Sequence, residues 1–171
     1  MAKETKTKGV LAKALEDELI ALLEGGHAHA TFDDAVKDFP AELRGKVPKG
    51  LPYSAWQIVE HLRIAQHDML EFSDNAKGTY KEKKWPDDYW PKAPAPPNEK
   101  AWKKSIDAIH ADRKAFLKLI AEADKAALTK PFAWGTGQNL LKEALQLADH
   151  NAYHIGELIV VRRLLDAWKK K

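Results

Sequence analysis

His150 and His154 stand one helical turn apart in the run His150-Asn151-Ala152-Tyr153-His154. A third histidine, His61, falls in a separate helical segment, and the chain has no cysteine. An i,i+4 pair puts both imidazoles on one side of a helix, with Cβ atoms roughly 5–6 Å apart. Two rings so placed can converge on one cation, and a ring from a second helix supplies a third nitrogen. Three protein ligands leave a coordination position free, as in a chemically active metal site rather than a structural one. The chemistry open to such a site is activation of water (its pKa lowered to about 7), polarisation of a carbonyl, or capture of a thiolate.

Winding at about 100° per residue places His150 and His154 in the same arc as Leu147, Leu158 and Val161. An imidazole buried there without a partner costs on the order of 1–3 kcal/mol. A shared cation satisfies both rings. The alternative keeps them as core histidines bonded to carbonyls or carboxylates. Asn151, not Glu, follows the first histidine, which disfavours zinc-protease chemistry.

The other candidates each carry two readings. Glu157, one turn beyond His154, is an acceptor behind a ligand or a proton shuttle, or else an edge carboxylate paired with Lys or Arg. Arg113 clamps an anionic substrate, or buries its stem and turns its head outward. Tyr153 is expected to pack facing away from the pair, and His67 to project opposite His61. His27, His29 and His110 lack ligand spacing. Gly156 is expected to admit a close neighbour.

The elements that must hold these residues are helical. Leu11, Leu15, Leu19, Leu22 and Leu23 recur at helical spacing, predicting a helix from Lys8 to Glu24 that stops at Gly25-Gly26. Thr31 caps a short helix over 32–38. Ser54 caps a second long helix over 55–74, with Ile58, Leu62, Ala65, Met69 and Phe72 inward and His61 on the flank of that stripe. Asn98 opens a third, to Ala123, with Trp102, Ile106, Ile109, Phe116 and Ile120 inward. A fourth runs from Gln138 to Trp168, with Leu140, Leu147, Leu158, Val161, Leu165 and Trp168 beside the two histidines. The reading is an all-α four-helix bundle with a short extra helix and a long Pro/Trp-rich loop between helices 2 and 3. That loop, 77–97, carries Trp85, Tyr89 and Trp90 and is expected to pack against the bundle.

At 171 residues and 44% hydrophobic content the chain is expected to form one globular domain, 1–171, with residues 1–7 as a flexible lead. No stretch reaches the ~18 apolar residues of a membrane span, and no secretion-signal core precedes the first helix. The expected setting is cytoplasmic, with no membrane partner. Charges are mixed along the chain and sum to +3, and the one basic cluster is Lys169-Lys170-Lys171. No nucleic-acid partner is expected from that pattern.

The stretch from Trp56 to Leu62, the run from His150 to Leu158 and the pair Arg162-Arg163 resemble the DinB-like superfamily of bacterial, damage-inducible-type four-helix proteins. The likeness extends over roughly Leu11 to Trp168. It implies that His61, His150 and His154 ligate a divalent metal, typically zinc or nickel, and it makes a homodimer plausible. The family pattern commonly has Gln where this chain has Glu157. The resemblance implies either a metal-dependent enzyme acting on a small molecule, of hydrolase or low-molecular-weight-thiol S-transferase type, or a non-catalytic metal-binding or stress-associated protein. Ligation requires unprotonated imidazoles, so acidification through about pH 6.5 is expected to release the metal.

Overall fold

A computed structural model describes residues 2–124 and 126–168, with side chains from residue 13 onward. The Leu11 side chain and the Lys169-Lys170-Lys171 tail lie outside the described residues. Among those described there are five α-helices, one 3-10 turn and no strand. They are α1 (Ala2–Glu24), α2 (Phe32–Val36), α3 (Ala55–Ser73), α4 (Glu99–Glu122) and α5 (Leu140–Leu164), with the 3-10 turn at Ala41–Leu43.

Side-chain caps set the register of the helices that carry the histidines. Ser54 Oγ accepts from the Gln57 N–H at 3.2 Å, and Gln57 Oε1 accepts from the Ser54 N–H at 3.1 Å, a reciprocal capping box. Asn98 Oδ1 accepts from the Ala101 N–H at 2.8 Å, and Asn139 Oδ1 from the Lys142 N–H at 2.9 Å, opening α4 and α5. α5 therefore begins two residues later than its hydrophobic pattern suggests. It also ends earlier, because the Ala167 N–H folds back to the Arg162 carbonyl at 2.8 Å and Asp166 takes a φ of 55°. α1 begins at Ala2 rather than Lys8, so residues 2–7 continue the helix.

α3 packs against both α4 and α5; α1 touches the same two helices, and α2 rests on α5. Two apolar clusters result. One gathers Phe32, Phe39, Trp56, Leu62, Ile109, Leu158 and Val161. The other gathers Leu19, Leu23, Phe116, Ile120, Leu128 and Leu147. Along α5 the second cluster takes residues up to Ala148 and the first resumes at Leu158, and both histidines fall in the interval. A buried polar contact crosses there as well. Gln66 Nε2 donates to the Ile109 carbonyl at 2.6 Å, and its Oε1 accepts from Asn151 Nδ2 at 3.0 Å. Leu22 is 53% exposed, while Leu19 and Leu23 fill the inner stripe of α1.

Arg162 is the buried tie between α2 and the end of α5. Its Nη1 donates to the carbonyls of Asp34, Ala35 and Lys37 at 3.1, 2.9 and 2.8 Å, and its Nη2 to that of Ala167 at 2.8 Å. Arg162→Met keeps the stem but strands these acceptors, and it should destabilise the fold by about 2–4 kcal/mol. Urea unfolding checks this; a loss below about 1 kcal/mol would mean that water replaces the guanidinium.

Candidate metal centre

The three histidines meet. The rings of His61 and His150 have centroids 5.0 Å apart, and each lies 4.5 Å from that of His154. One nitrogen from each falls within 4.8 Å of the other two. The His61 and His150 Nε2 atoms face each other at 3.0 Å. Nitrogens arranged tetrahedrally at zinc–imidazole distances are about 3.3 Å apart. One separation is close to that value and the others lie within 4.8 Å, so the three rings could be drawn onto one small divalent cation.

The outer nitrogens select the tautomers. His61 Nδ1–H donates to the Tyr89 carbonyl at 3.0 Å, which leaves a lone pair on Nε2. His154 Nδ1–H donates to Glu157 Oε2 at 2.7 Å, freeing its Nε2 in the same way. A carboxylate or carbonyl behind a ligating imidazole is the usual means of fixing ring orientation and raising ligand basicity. His150 Nδ1 is buried with no hydrogen-bond partner, so that ring's polar contact is directed at the other histidines. Trp90 stacks on His61 at 3.9 Å and 3°, and also on Tyr53 at 3.8 Å and 12°. The expected packing of the 77–97 loop thus falls on the site itself. Gly45 accommodates the end of that loop, since a Cβ there would meet the Ala95 Cβ at 2.4 Å.

Burial sets the protonation state. It pushes the imidazoles of His61 and His154 down to about 4, with the neighbouring imidazoles adding to the effect, and it lowers His150 as well. All three are neutral at pH 7, and proton competition for the nitrogens is deferred well below the ordinary pH 6.5 expected from the sequence.

A cavity of about 870 Å³ opens beside the rings, and all three histidines stand in its wall with Asp68, Tyr80, Tyr89 and Glu143. Glu157 is absent from that wall. It lines a separate apolar groove with Leu51, Tyr53 and Val160, so it backs His154 rather than facing an occupant of the cavity. Arg113 does not join the site. It lines a small cavity with Leu22, Leu23 and Asn151, and its Nη2 lies 3.2 Å from His110 Nδ1. Tyr153, expected to pack away from the pair, is instead 64% exposed, and its ring meets that of His154 edge-on at 4.9 Å. His67 pairs with Asp112 at 3.1 Å, and His110 with Asp33 at 3.0 Å. Gly156 corrects its expectation: a Cβ there would meet nothing within 4 Å, so no neighbour approaches it.

Sequence reasoning missed the roles of Tyr89 and Trp90, because contacts made by a loop leave no periodic signal. It also missed Asp68 and Glu143. Each lies seven residues from a histidine, Asp68 after His61 and Glu143 before His150, and that offset is a signal that could have found them.

Two outcomes test this geometry. In metal-free protein, His61 and His154 accept protons at about pH 6.5 when unfolded but only near 4 when folded. The unfolded state binds more protons between these values, so stability should fall as pH drops from about 6.5 to 4 and be insensitive to these groups above that window. Urea midpoints across the range measure it, and a flat profile would contradict neutral burial. Separately, Glu157→Ala should lower zinc affinity by about 10–100-fold, while Glu157→Gln keeps an acceptor for Nδ1–H and loses less. Calorimetric titration separates them; equal affinity in both variants would detach Glu157 from the site.

A family model described as the DinB superfamily matches residues 26–158, a narrower span than Leu11 to Trp168 but one that includes all three histidines. No curated protein and no solved structure matches the chain. The match covers well over half of the 171 residues, so the chain belongs to the DinB superfamily.

Proposed function

We propose that this chain is a metal-dependent enzyme built on a four-helix bundle, with His61, His150 and His154 holding one divalent cation, zinc or nickel, and a small molecule as substrate. The observation that carries the reading is the roughly 870 Å³ cavity whose wall includes all three rings. A non-catalytic metal site has no use for that opening, and the loop bearing Trp85, Tyr89 and Trp90 supports the rings without closing it.

A cation held by three neutral imidazoles keeps its full charge and supplies Lewis acidity toward a water, a thiol or a carbonyl. The chain's own residues orient and exclude. Tyr89 and Glu157 hold the His61 and His154 rings from behind by their Nδ1–H groups, and Trp90 covers one face of His61. Either hydrolysis or thiol transfer suits such a site. If a thiol takes part, it arrives with a co-substrate of low molecular weight, since the chain contains no cysteine. A cytoplasmic setting suits the thiol reading.

His150→Ala should abolish stoichiometric metal while leaving the helical content intact, because that residue is half-buried beside the cavity rather than in either apolar cluster. Elemental analysis with far-ultraviolet circular dichroism checks both halves. Unchanged metal content would defeat the ligand assignment. A screen of small thiols with electrophiles and of hydrolysable esters and amides, run on metal-loaded protein and on His150→Ala, then tests the activity. Turnover equal in both samples would remove the metal from it.

A further inference from the structure

The cavity has a second chemical end. Asp68 follows His61 by seven residues on α3, and Glu143 precedes His150 by seven on α5. Seven residues are nearly two whole turns, so each carboxylate returns to the face that carries its histidine, about 10 Å further along the axis. Both line the same cavity as the histidines, and they lie near enough that Asp68 acts on the charge of Glu143. Two packed helices thus carry an imidazole layer and, two turns away, a carboxylate layer.

The two carboxylates differ in what meets them. Asp68 has partners: Tyr89 Oη donates to its Oδ2 at 2.6 Å and Tyr80 Oη at 3.4 Å, while its Oδ1, which takes no hydrogen bond, lies 3.2 Å from the charge of Lys83 Nζ. Burial and Asp68 raise both phenols, Tyr80 to about 12, so both remain donors. Glu143 is only 6% exposed and, among the described residues, its carboxyl has no hydrogen-bond or ion-pair partner. Lys142 stands exposed on the cavity rim and forms no ion pair with it. Burial raises the Glu143 carboxyl and the charge of Lys142 acts against that rise; a cation brought against the carboxyl inside the cavity would likewise hold it ionised. Phe72, Tyr80, Trp85 and Trp134 line the same space and offer aromatic faces to a cation. One unmatched carboxylate is too few oxygens for a second metal ion, which needs six or more, but it suits an ammonium group.

We propose that the cavity recognises a ligand bearing a protonated amine, seated at Glu143 beside Asp68, two helical turns from the histidines. This deepens the proposed function by naming a substrate class. It rests on that reading only for the far end of the ligand, whose donor atom would reach the metal centre.

The test uses metal-free protein first, so that it does not depend on the metal. Binding of n-hexylammonium and of 1-hexanol at neutral pH is followed by calorimetry and by tryptophan emission, since Trp85 and Trp134 stand in the wall. The ammonium should bind at least about ten-fold more tightly than the alcohol. Glu143→Gln, close to isosteric, should remove that preference through the ammonium alone, leaving alcohol affinity and zinc content unchanged. A zinc-loaded arm compares 6-aminohexane-1-thiol with 6-sulfanylhexan-1-ol and should show the same preference, lost in the same variant. Equal affinity of wild type for hexylammonium and hexanol overturns the proposal, as does a preference that survives Glu143→Gln. A preference intact in protein that binds no zinc would leave this inference standing and strike the metal reading instead.

Discussion

Gathering three imidazoles, two buried and one half-buried, to within 4.8 Å of one another is the constraint on which the rest depends. An imidazole in an apolar interior must be neutral, and its nitrogens must still be met. Here the outer nitrogens of His61 and His154 go to a carbonyl and a carboxylate, and the inner nitrogens are left to one another. The His61 Nε2 lone pair faces His150 Nε2 at 3.0 Å, so either a shared proton or a cation must lie between them. The helices, the caps and the loop after α3 can all be understood as holding that arrangement in place.

The core is divided accordingly. Two apolar clusters flank the histidine level, and the Gln66–Asn151 contact crosses at that level and is itself hydrogen-bonded to the α4 backbone. A polar belt through a helical core needs each member satisfied to be tolerated. Gln66 meets that requirement, with donor and acceptor both engaged while it is only 1% exposed, whereas Asn151 donates to Gln66 but leaves its own buried Oδ1 without a hydrogen bond. The belt also fixes the relative register of α3, α4 and α5, since a shift of one residue on any of them would break the contacts.

Much of this was legible in the residues. The i,i+4 spacing of His150 and His154, the caps at Ser54 and Asn98, and the apolar stripes of α3 and α4 are local patterns, and they appear in the structure within a residue or two. Gly156 was misread for a simple reason. Periodicity gives the direction of a side chain but not whether a neighbour is present in that direction. Of the two readings of Arg113, the clamp beside the histidines gains no support, since the side chain lines another cavity. The support of His61 by Tyr89 and Trp90 was illegible, because a loop spanning residues 74–98 has no period from which its folding can be read.

Tyr89 uses its two ends differently. Its backbone carbonyl accepts the hydrogen bond from His61 Nδ1–H, while its phenol donates to Asp68, two turns down the helix that carries His61. One loop residue is therefore braced against α3 at both levels of the cavity, like a strut between two rungs. A guest that pulls the phenol from Asp68 also works on the peptide that dictates which nitrogen of His61 bears hydrogen. The two ends of the chamber are joined mechanically as well as spatially.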